Sequence, residues 1–198
     1  MINFKKISKI FSQFLDNTLT IHNNKGRLDQ LIRSNIEVNR RLWDLEDIAR
    51  MHNLDFEHVA LAKQEIDKNN QTRNNLVQKI DVELEKVLKN NPSGPIEKFY
   101  GESPGMVIDR LAILFIKLSV IKKMNSVIEE KDLKREYLNK EKVISNQINK
   151  MGNFLDLYFL RIQQGEVFFE IQQPVKIYND NRIKKYIKIL KKNGGGDF

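Results

Sequence analysis

Residues 103–121 read SPGMVIDRLAILFIKLSVI, and this stretch decides the fold class. Ser103 and Pro104 are residue types that favour the N-cap and the first turn of a helix. From Val107 to Ile121 the segment is apolar on nearly all sides, which is typical of a helix that other helices surround. The sequence therefore predicts a central helix here, with neighbouring segments packed around it.

Three further segments carry apolar residues at the spacing of an amphipathic helix. They run from about residue 27 to 51, from about 56 to 88 and from about 132 to 164. Asp55 is a suitable N-cap for the second of them, and Gly165 is a suitable C-cap for the third. A shorter amphipathic segment opens the chain, with phenylalanine and isoleucine on one side and lysines between them.

We predict an all-α fold: a single-domain antiparallel bundle of about four long helices with short N- and C-terminal helices. Residues 1–181 are expected to form this domain, and residues 182–198 a basic C-terminal helix that ends in a flexible glycine-rich tail. Residues 167–178 are rich in β-branched and aromatic side chains. We expect them to form extended chain along the bundle, too isolated to make a sheet.

The net charge of +8 is concentrated at the two ends of the chain. Residues 1–27 hold five basic residues and one acid, residues 182–198 hold six and one, and the rest is close to neutral. A protein that binds duplex nucleic acid usually carries its basic face on the folded body, so this function is not favoured. The basic C-terminal segment could contact a partner or an anionic membrane surface, although packing on its own bundle is favoured.

Cysteine is absent, which excludes disulfide bonds, thiolate metal sites and cysteine nucleophiles. The histidines, His22, His52 and His58, are not spaced as metal ligands or as partners of a nucleophile. No apolar run approaches the roughly 18 residues that a membrane-spanning helix needs, and the N-terminus lacks the features of a secretory signal. We therefore expect a cytoplasmic protein.

Polar side chains interrupt the apolar faces of three predicted helices, as a helical turn of roughly 100° per residue reveals. They are Asn35, Asn39, Glu46 and Arg50 in segment 27–51, Lys63, Asp67, Asn70, Asn74 and Asp81 in segment 56–88, and Asp109 in the central helix. A buried charge is unfavourable unless it pairs, binds a ligand or faces a water-filled cleft. The interruptions therefore predict either a shared polar site between helices or a buried network of ion pairs.

Three motifs that contain these residues resemble a known family. They are RLWDLEDIAR at residues 41–50, Lys63-xxx-Asp67-xx-Asn70-Gln71-x-Arg73, and ESPG at residues 102–105 with DRLAIL at 109–114. Together with KIYND at residues 176–180, they resemble the bacterial family catalogued as domain of unknown function 4254, over roughly Trp43 to Asp180. The resemblance implies a helical protein without a known activity, from a family often encoded near glycosyltransferases of surface polysaccharide synthesis. The chain departs from the family pattern after Lys117 and after Asp180.

The polar positions favour a site that binds a phosphorylated small molecule, such as a nucleotide or a sugar nucleotide. The candidate residues are Glu46, Arg50, Lys63, Asp67, Asn70, Arg73, Asp81, Glu102, Ser103, Asp109 and Arg110. Arginine binds phosphate in bidentate fashion, and Ser103 at a helix N-terminus would add a favourable dipole. Carboxylates suit Mg²⁺, for which Glu46, Asp67 and Asp109 are the candidate ligands. Magnesium-dependent hydrolysis of a phosphate bond is the catalytic form of this hypothesis, and whether the protein is an enzyme stays open.

The alternative is a non-catalytic interaction or structural protein, accessory to surface polysaccharide synthesis. The polar residues would then form ion pairs only: Glu46 with Arg50, Lys63 with Asp67, and Asp109 with Arg73 or Arg110. The apolar side of the N-terminal segment would be a candidate interface for a homodimer. A cavity lined by the carboxylates would favour ligand binding, whereas fully paired charges without a cavity would favour the alternative.

Overall fold

The structure is a computed structural model, and it describes residues 2–16, 26–51, 55–173, 181–183, 186 and 188–189. Five α-helices make up most of this part of the chain: α1 (Phe4–Leu15), α2 (Arg27–Ala49), α3 (Phe56–Leu88), α4 (Pro104–Val127) and α5 (Lys131–Gln163). The prediction of an all-α bundle is confirmed. Most of the predicted C-terminal helix, the glycine-rich tail and the KIYND motif lie outside the described residues.

The helices begin and end at residues whose chemistry suits those positions. The Asp55 side chain accepts a hydrogen bond from the backbone N–H of His58 at 2.9 Å and caps α3. Ser103 caps α4 in the same way, and Pro104 occupies the first turn. Lys89 ends α3 with φ 56°, and Gly165 follows α5 with φ 69°, both in the left-handed region. The predicted N-caps Asp55 and Ser103 are confirmed, whereas the C-cap of α5 is Gln164 and the predicted Gly165 is the residue after it.

The central position of α4 follows from its sequence. This helix packs against α1, α2, α3 and α5. Ile108, Leu111, Ala112 and Ile116 on α4 are each at most 1% exposed and belong to the main core cluster. A helix that is apolar on nearly all sides needs neighbours on all sides, and the bundle provides them.

Helices α4 and α5 are antiparallel neighbours joined by a three-residue connection. At one end of the pair, Asn125 on α4 donates a hydrogen bond to the Glu141 carboxylate on α5 at 2.7 Å. At the other end, the Tyr158 hydroxyl on α5 donates to the carbonyl of Glu102, just before α4, at 2.8 Å. The two helices therefore lie side by side over most of the length of α4.

A short parallel sheet joins the loop before α4 to the segment after α5. Strand β1 (Phe99–Tyr100) follows a 3₁₀ turn (Ile96–Lys98) and pairs with β2 (Phe168–Phe169). The expectation that residues 167–178 are too isolated to form a sheet is therefore wrong for this pair. The partner strand comes from a segment whose prolines and glycines predict only a loop. The pairing carries Gln172 and Gln173 towards the N-terminus of α4.

The N-terminal helix packs within the same chain. Ile7, Ile10 and Phe11 are buried, and the Phe11 and Phe115 rings meet edge to face at a centroid distance of 5.4 Å. Its apolar side is thus covered by the bundle. Among the described residues, none of the helices combines the length and the apolar character that crossing a membrane requires.

Candidate binding cleft

The polar interruptions of α2 meet the acid of α4. The Asp109 Oδ1 atom accepts hydrogen bonds from Asn35 Nδ2 and Asn39 Nδ2, both at 2.8 Å. The four-residue spacing places the two amides on one face of α2, and they are 0% and 4% exposed. Asn39 also donates to the backbone carbonyl of Asn35 at 3.0 Å. The Asp109 carboxylate thus accepts hydrogen bonds from both buried amides. One part of the predicted polar site between helices is therefore formed.

The second oxygen of Asp109 faces Arg73 on α3. The distance from Arg73 Nε to Asp109 Oδ2 is 3.9 Å, and the arginine side chain is 30% exposed. Within the described part of the chain, the Arg73 guanidinium makes no hydrogen bond and no other ion pair. Guanidinium carries five N–H donors, so most of the binding capacity of Arg73 is left for another molecule.

Asp81, further along α3, binds the N-terminus of α4. Its carboxylate accepts from the Ser103 hydroxyl at 2.6 Å and from the backbone N–H of Gly105 at 2.7 Å. The residue is 2% exposed, and burial raises the pKa of its carboxyl to about 6 against the opposing effect of the two hydrogen bonds. Asp81 thus occupies the anion position that was expected to serve a ligand at this helix end.

Glu102 and Arg110 form an ion pair at the mouth of the same region, and each side chain is 47% exposed. The hydrogen bond from Tyr158 to the Glu102 carbonyl fixes the loop that carries Glu102. Burial, followed by the nearby Asp81 carboxylate, raises the pKa of Tyr158, so its hydroxyl stays a donor. The ion pair with Glu102 therefore positions the guanidinium of Arg110, although the arginine side chain is half exposed.

These groups surround a polar cleft of about 490 Å³ between α3, the start of α4 and the segment after β2. Its lining has two guanidinium groups, three carboxylates, one hydroxyl, four carboxamides and two apolar side chains. The residues are Arg73, Asn74, Val77, Gln78, Asp81, Glu102, Ser103, Met106, Asp109, Arg110, Gln172 and Gln173. The volume lies in the range of small-molecule sites, and the lining offers both donors and acceptors.

A family model with the description "Protein of unknown function (DUF4254)" matches residues 29–171, more than two thirds of the chain. The chain belongs to this family. The resemblance seen in the three sequence motifs is thereby confirmed. No curated protein and no solved structure matches the chain. The cleft lies almost wholly within the DUF4254 match, and only Gln172 and Gln173 are just beyond its end.

Six of the eleven predicted site residues line the cleft of this DUF4254 protein. They are Arg73, Asp81, Glu102, Ser103, Asp109 and Arg110. The cleft also contains Gln78, Gln172 and Gln173, which the sequence reasoning missed. Gln78 lies one turn of α3 from Asn74, which the periodicity did identify. The two later glutamines reach the cleft only through the pairing of β1 with β2, for which the sequence had no signal.

Three predicted residues line a separate, smaller cavity of about 200 Å³ on the other side of Arg73: Glu46, Arg50 and Asn70. Glu46 and Arg50 form the expected ion pair at 3.1 Å, but their side chains are 45% and 70% exposed. This pair lies at the end of α2 and is in contact with solvent. It is a surface interaction and does not require a ligand.

Lys63 and Asp67 are exposed and line neither cavity. The expected ion pair between them is not formed among the described residues of the DUF4254 chain. Within the same residues, no group of three or more histidine, aspartate or glutamate side chains could hold a metal ion. The structure therefore does not bring Glu46, Asp67 and Asp109 together as magnesium ligands.

Proposed function

We propose that the polar cleft binds a phosphorylated small molecule, either a nucleotide or a sugar nucleotide. The observation that carries this proposal is Arg73, whose guanidinium lines the cleft with one loose ion pair at 3.9 Å and no hydrogen bond within the described residues. Asp109 orients the guanidinium of Arg73, and this guanidinium can still bind a phosphate through two hydrogen bonds.

Arg110 supplies a second cation in the lining of the cleft. Its pairing with Glu102 leaves the side chain half exposed, so the remaining donors of its guanidinium can reach a ligand. Two arginines in the lining of one cleft are suited to a diphosphate, because each can contact a different phosphate group. The proposal places the phosphates of the ligand between Arg73 and Arg110.

The remaining lining suits a hydroxyl-bearing part of the ligand. Asn74, Gln78 and Gln172 are carboxamides, which donate and accept hydrogen bonds, and the carboxylates of Glu102 and Asp109 accept them. Glu102 and Asp109 offset the charges of the two arginines, and Asp81 is a third acid that the start of α4 binds, so the cleft is polar without a net positive charge. This balance favours a ligand with phosphate and neutral hydroxyl groups over an isolated phosphate ion.

The proposal concerns binding, which the available donors of Arg73 and Arg110 support. Magnesium would accompany the ligand's phosphates, and the Glu102 and Asp109 carboxylates in the lining are oxygen donors of the kind that it accepts. Titrations with and without Mg²⁺ measure this contribution.

Isothermal titration calorimetry with UDP-glucose, GDP-mannose and ATP tests the proposal. We expect at least one of them to bind, and Arg73→Ala to weaken binding by roughly tenfold or more, since a charge-assisted bidentate contact is lost. The affinity of Arg73→Lys should lie between those of the wild type and Arg73→Ala, because lysine keeps the positive charge but cannot form the bidentate contact. Arg135→Ala is the matched control: this arginine is 84% exposed on α5 and lines neither cavity.

Two results would overturn the proposal. One is the absence of binding by all three ligands at millimolar concentration to wild-type protein. The other is an equal loss of affinity in Arg73→Ala and Arg135→Ala, which would show a general charge effect. Urea unfolding of each variant verifies that Arg73→Ala is folded under the titration conditions.

A further inference from the structure

A third cavity, of about 610 Å³, lies between α4 and α5 and has a different character from the polar cleft. Its floor is apolar: Val107, Ile113 and Leu114 come from α4, and Met151 and Phe154 from α5. Val107 and Leu114 are seven residues apart on α4, and Met151 and Phe154 are three residues apart on α5, so each pair lies on one face of its helix. We call this cavity the α4–α5 groove.

The rim of the α4–α5 groove is basic. Lys117 on α4, Lys150 on α5 and Arg110 lie around it, and Glu102 is its only acid. Glu102 is already paired with Arg110. Lys117 and Lys150 are exposed, and within the described part of the chain neither forms an ion pair or a hydrogen bond. The groove thus combines an apolar floor with two ammonium groups that no carboxylate balances.

We propose that the α4–α5 groove binds a single-chain anionic amphiphile of the alkyl phosphate type. The apolar chain lies on the floor formed by Leu114, Met151 and Phe154, and the phosphate lies at the rim between Lys117 and Lys150. Each methylene that leaves water raises affinity by roughly fourfold, so the floor provides affinity and the rim provides selectivity for a negative head group.

The charge of the rim argues against a second copy of this chain as the occupant. Closed dimers usually form through the same surface of both copies, which here would bring Lys117 and Lys150 of one copy against those of the other. Like charges at such an interface are unfavourable. An anionic ligand has a charge complementary to the lysines and therefore meets no such repulsion.

This inference goes beyond the proposed function, because the groove and the cleft depend on different residues. Arg73 lines the cleft and the small cavity beside it but not the groove, whereas Lys117, Lys150 and Phe154 line only the groove. Glu102 and Arg110 stand between the two and belong to both. The two ligands would therefore lie next to each other, and the loss of one site can be measured without the loss of the other.

Calorimetric titration of the full chain with decyl phosphate, kept below its micelle concentration, tests the inference. We expect one molecule to bind per chain, at least roughly tenfold more tightly than methyl phosphate or the uncharged decyl maltoside. The double variant Lys117→Ala/Lys150→Ala should weaken binding roughly fivefold or more, since two charge-assisted contacts are lost. The control Lys122→Ala/Lys142→Ala removes two exposed lysines from the same helices outside the groove.

The apolar floor has its own pair of variants. Phe154→Ala should weaken binding of decyl phosphate, whereas Leu157→Ala, an exposed position one turn away that does not line the groove, should leave it unchanged. Arg73→Ala should also leave it unchanged. If decyl phosphate binds normally while UDP-glucose, GDP-mannose and ATP all fail, only the proposed function of the cleft is refuted.

Several outcomes would overturn the inference. They are equal affinity for decyl phosphate and decyl maltoside, no binding of decyl phosphate, or equal effects of the rim and control lysine pairs. Two others point to a different occupant. Attachment to phosphatidylglycerol vesicles without binding of the monomeric amphiphile would indicate a membrane surface. A dimer that Phe154→Ala dissociates, again without amphiphile binding, would indicate a second copy.

Discussion

Asp67 and Asp81 lie on nearly the same side of α3, 14 residues apart, yet their environments are opposite. Asp67 is exposed and lines no cavity, whereas Asp81 is 2% exposed and accepts two hydrogen bonds from the start of α4. The difference arises because the N-terminus of α4 covers only the second half of α3. The angular position of a residue therefore predicts the face of the helix on which it lies. Whether the residue is buried depends on whether another helix packs over that part of the face.

The largest expected effect that distinguishes these two regions concerns Asp109, which α4 itself contributes to the covered region. Asp109→Ala removes an acceptor that two buried amides share: Asn35 loses its bond to the carboxylate, and Asn39 keeps only its bonds to Asn35. Each buried donor without a partner costs about 1–3 kcal/mol, so we expect a loss of roughly 3–5 kcal/mol in the free energy of unfolding in urea. Asp67→Ala should change it by no more than about 0.5 kcal/mol. Comparable losses in the two variants would refute the distinction between a covered and an uncovered end.

The second prediction is a dependence of the unfolding free energy on pH that the buried Asp81 should cause. The pKa of Asp81 is about 6 in the folded protein, above its unfolded value, so folding favours the protonated form. Its contribution is fully present below the unfolded pKa and is lost as the pH rises through the folded pKa. The unfolding free energy of the wild type relative to Asp81→Asn should therefore fall by about 2–3 kcal/mol between about pH 4 and pH 7.

The matched variant for this experiment is Asp67→Asn, which removes an exposed carboxyl from the same helix. A difference between the wild type and Asp81→Asn that does not change with pH would show that burial does not control the protonation of Asp81.

The smallest expected effect concerns the close approach of Asp81 to the backbone of α4. A Cβ atom at Gly105 would lie 2.6 Å from Asp81 Oδ1, so the carboxylate would have to move. We expect Gly105→Ala to lower the unfolding free energy by about 1–2 kcal/mol, because the strain exceeds the helix preference of alanine. Gly101→Ala meets no atom within 4 Å and should be nearly neutral in thermal and urea unfolding. An increase in stability on Gly105→Ala would contradict the tight packing of Asp81.

Much of the fold could be predicted because local chemistry determines it. The apolar circumference of α4 and the capping residues Asp55 and Ser103 are visible in the sequence, and the structure has them in these roles. The pairing of β1 with β2 could not be predicted, since each strand has two residues and the partners are 69 positions apart. A short strand has no periodicity that identifies its partner.

The site was predictable to the extent that helical angle determines it. Arg73, Asp81 and Asp109 were identified as interruptions or motif residues, and the structure brings them together with Glu102 and Arg110. Glu46, Lys63 and Asp67 share the same angular pattern but are not covered by another helix. How deeply a polar side chain is buried depends on where α4 crosses the neighbouring helices. The sequence of a single helix does not encode this crossing point. That the assembled residues bind a ligand stays a prediction.

The central claim is that polar residues of α3 and of the start of α4 form a binding cleft for a phosphorylated ligand. A crystal structure of the protein with UDP-glucose at saturating concentration tests it most directly. We expect the diphosphate between Arg73 and Arg110, within hydrogen-bonding distance of both guanidinium groups, and the glucose hydroxyls next to Gln78 or Gln172. A cleft filled only by water, with UDP-glucose absent or bound near the exposed Lys63 and Asp67, would contradict the account.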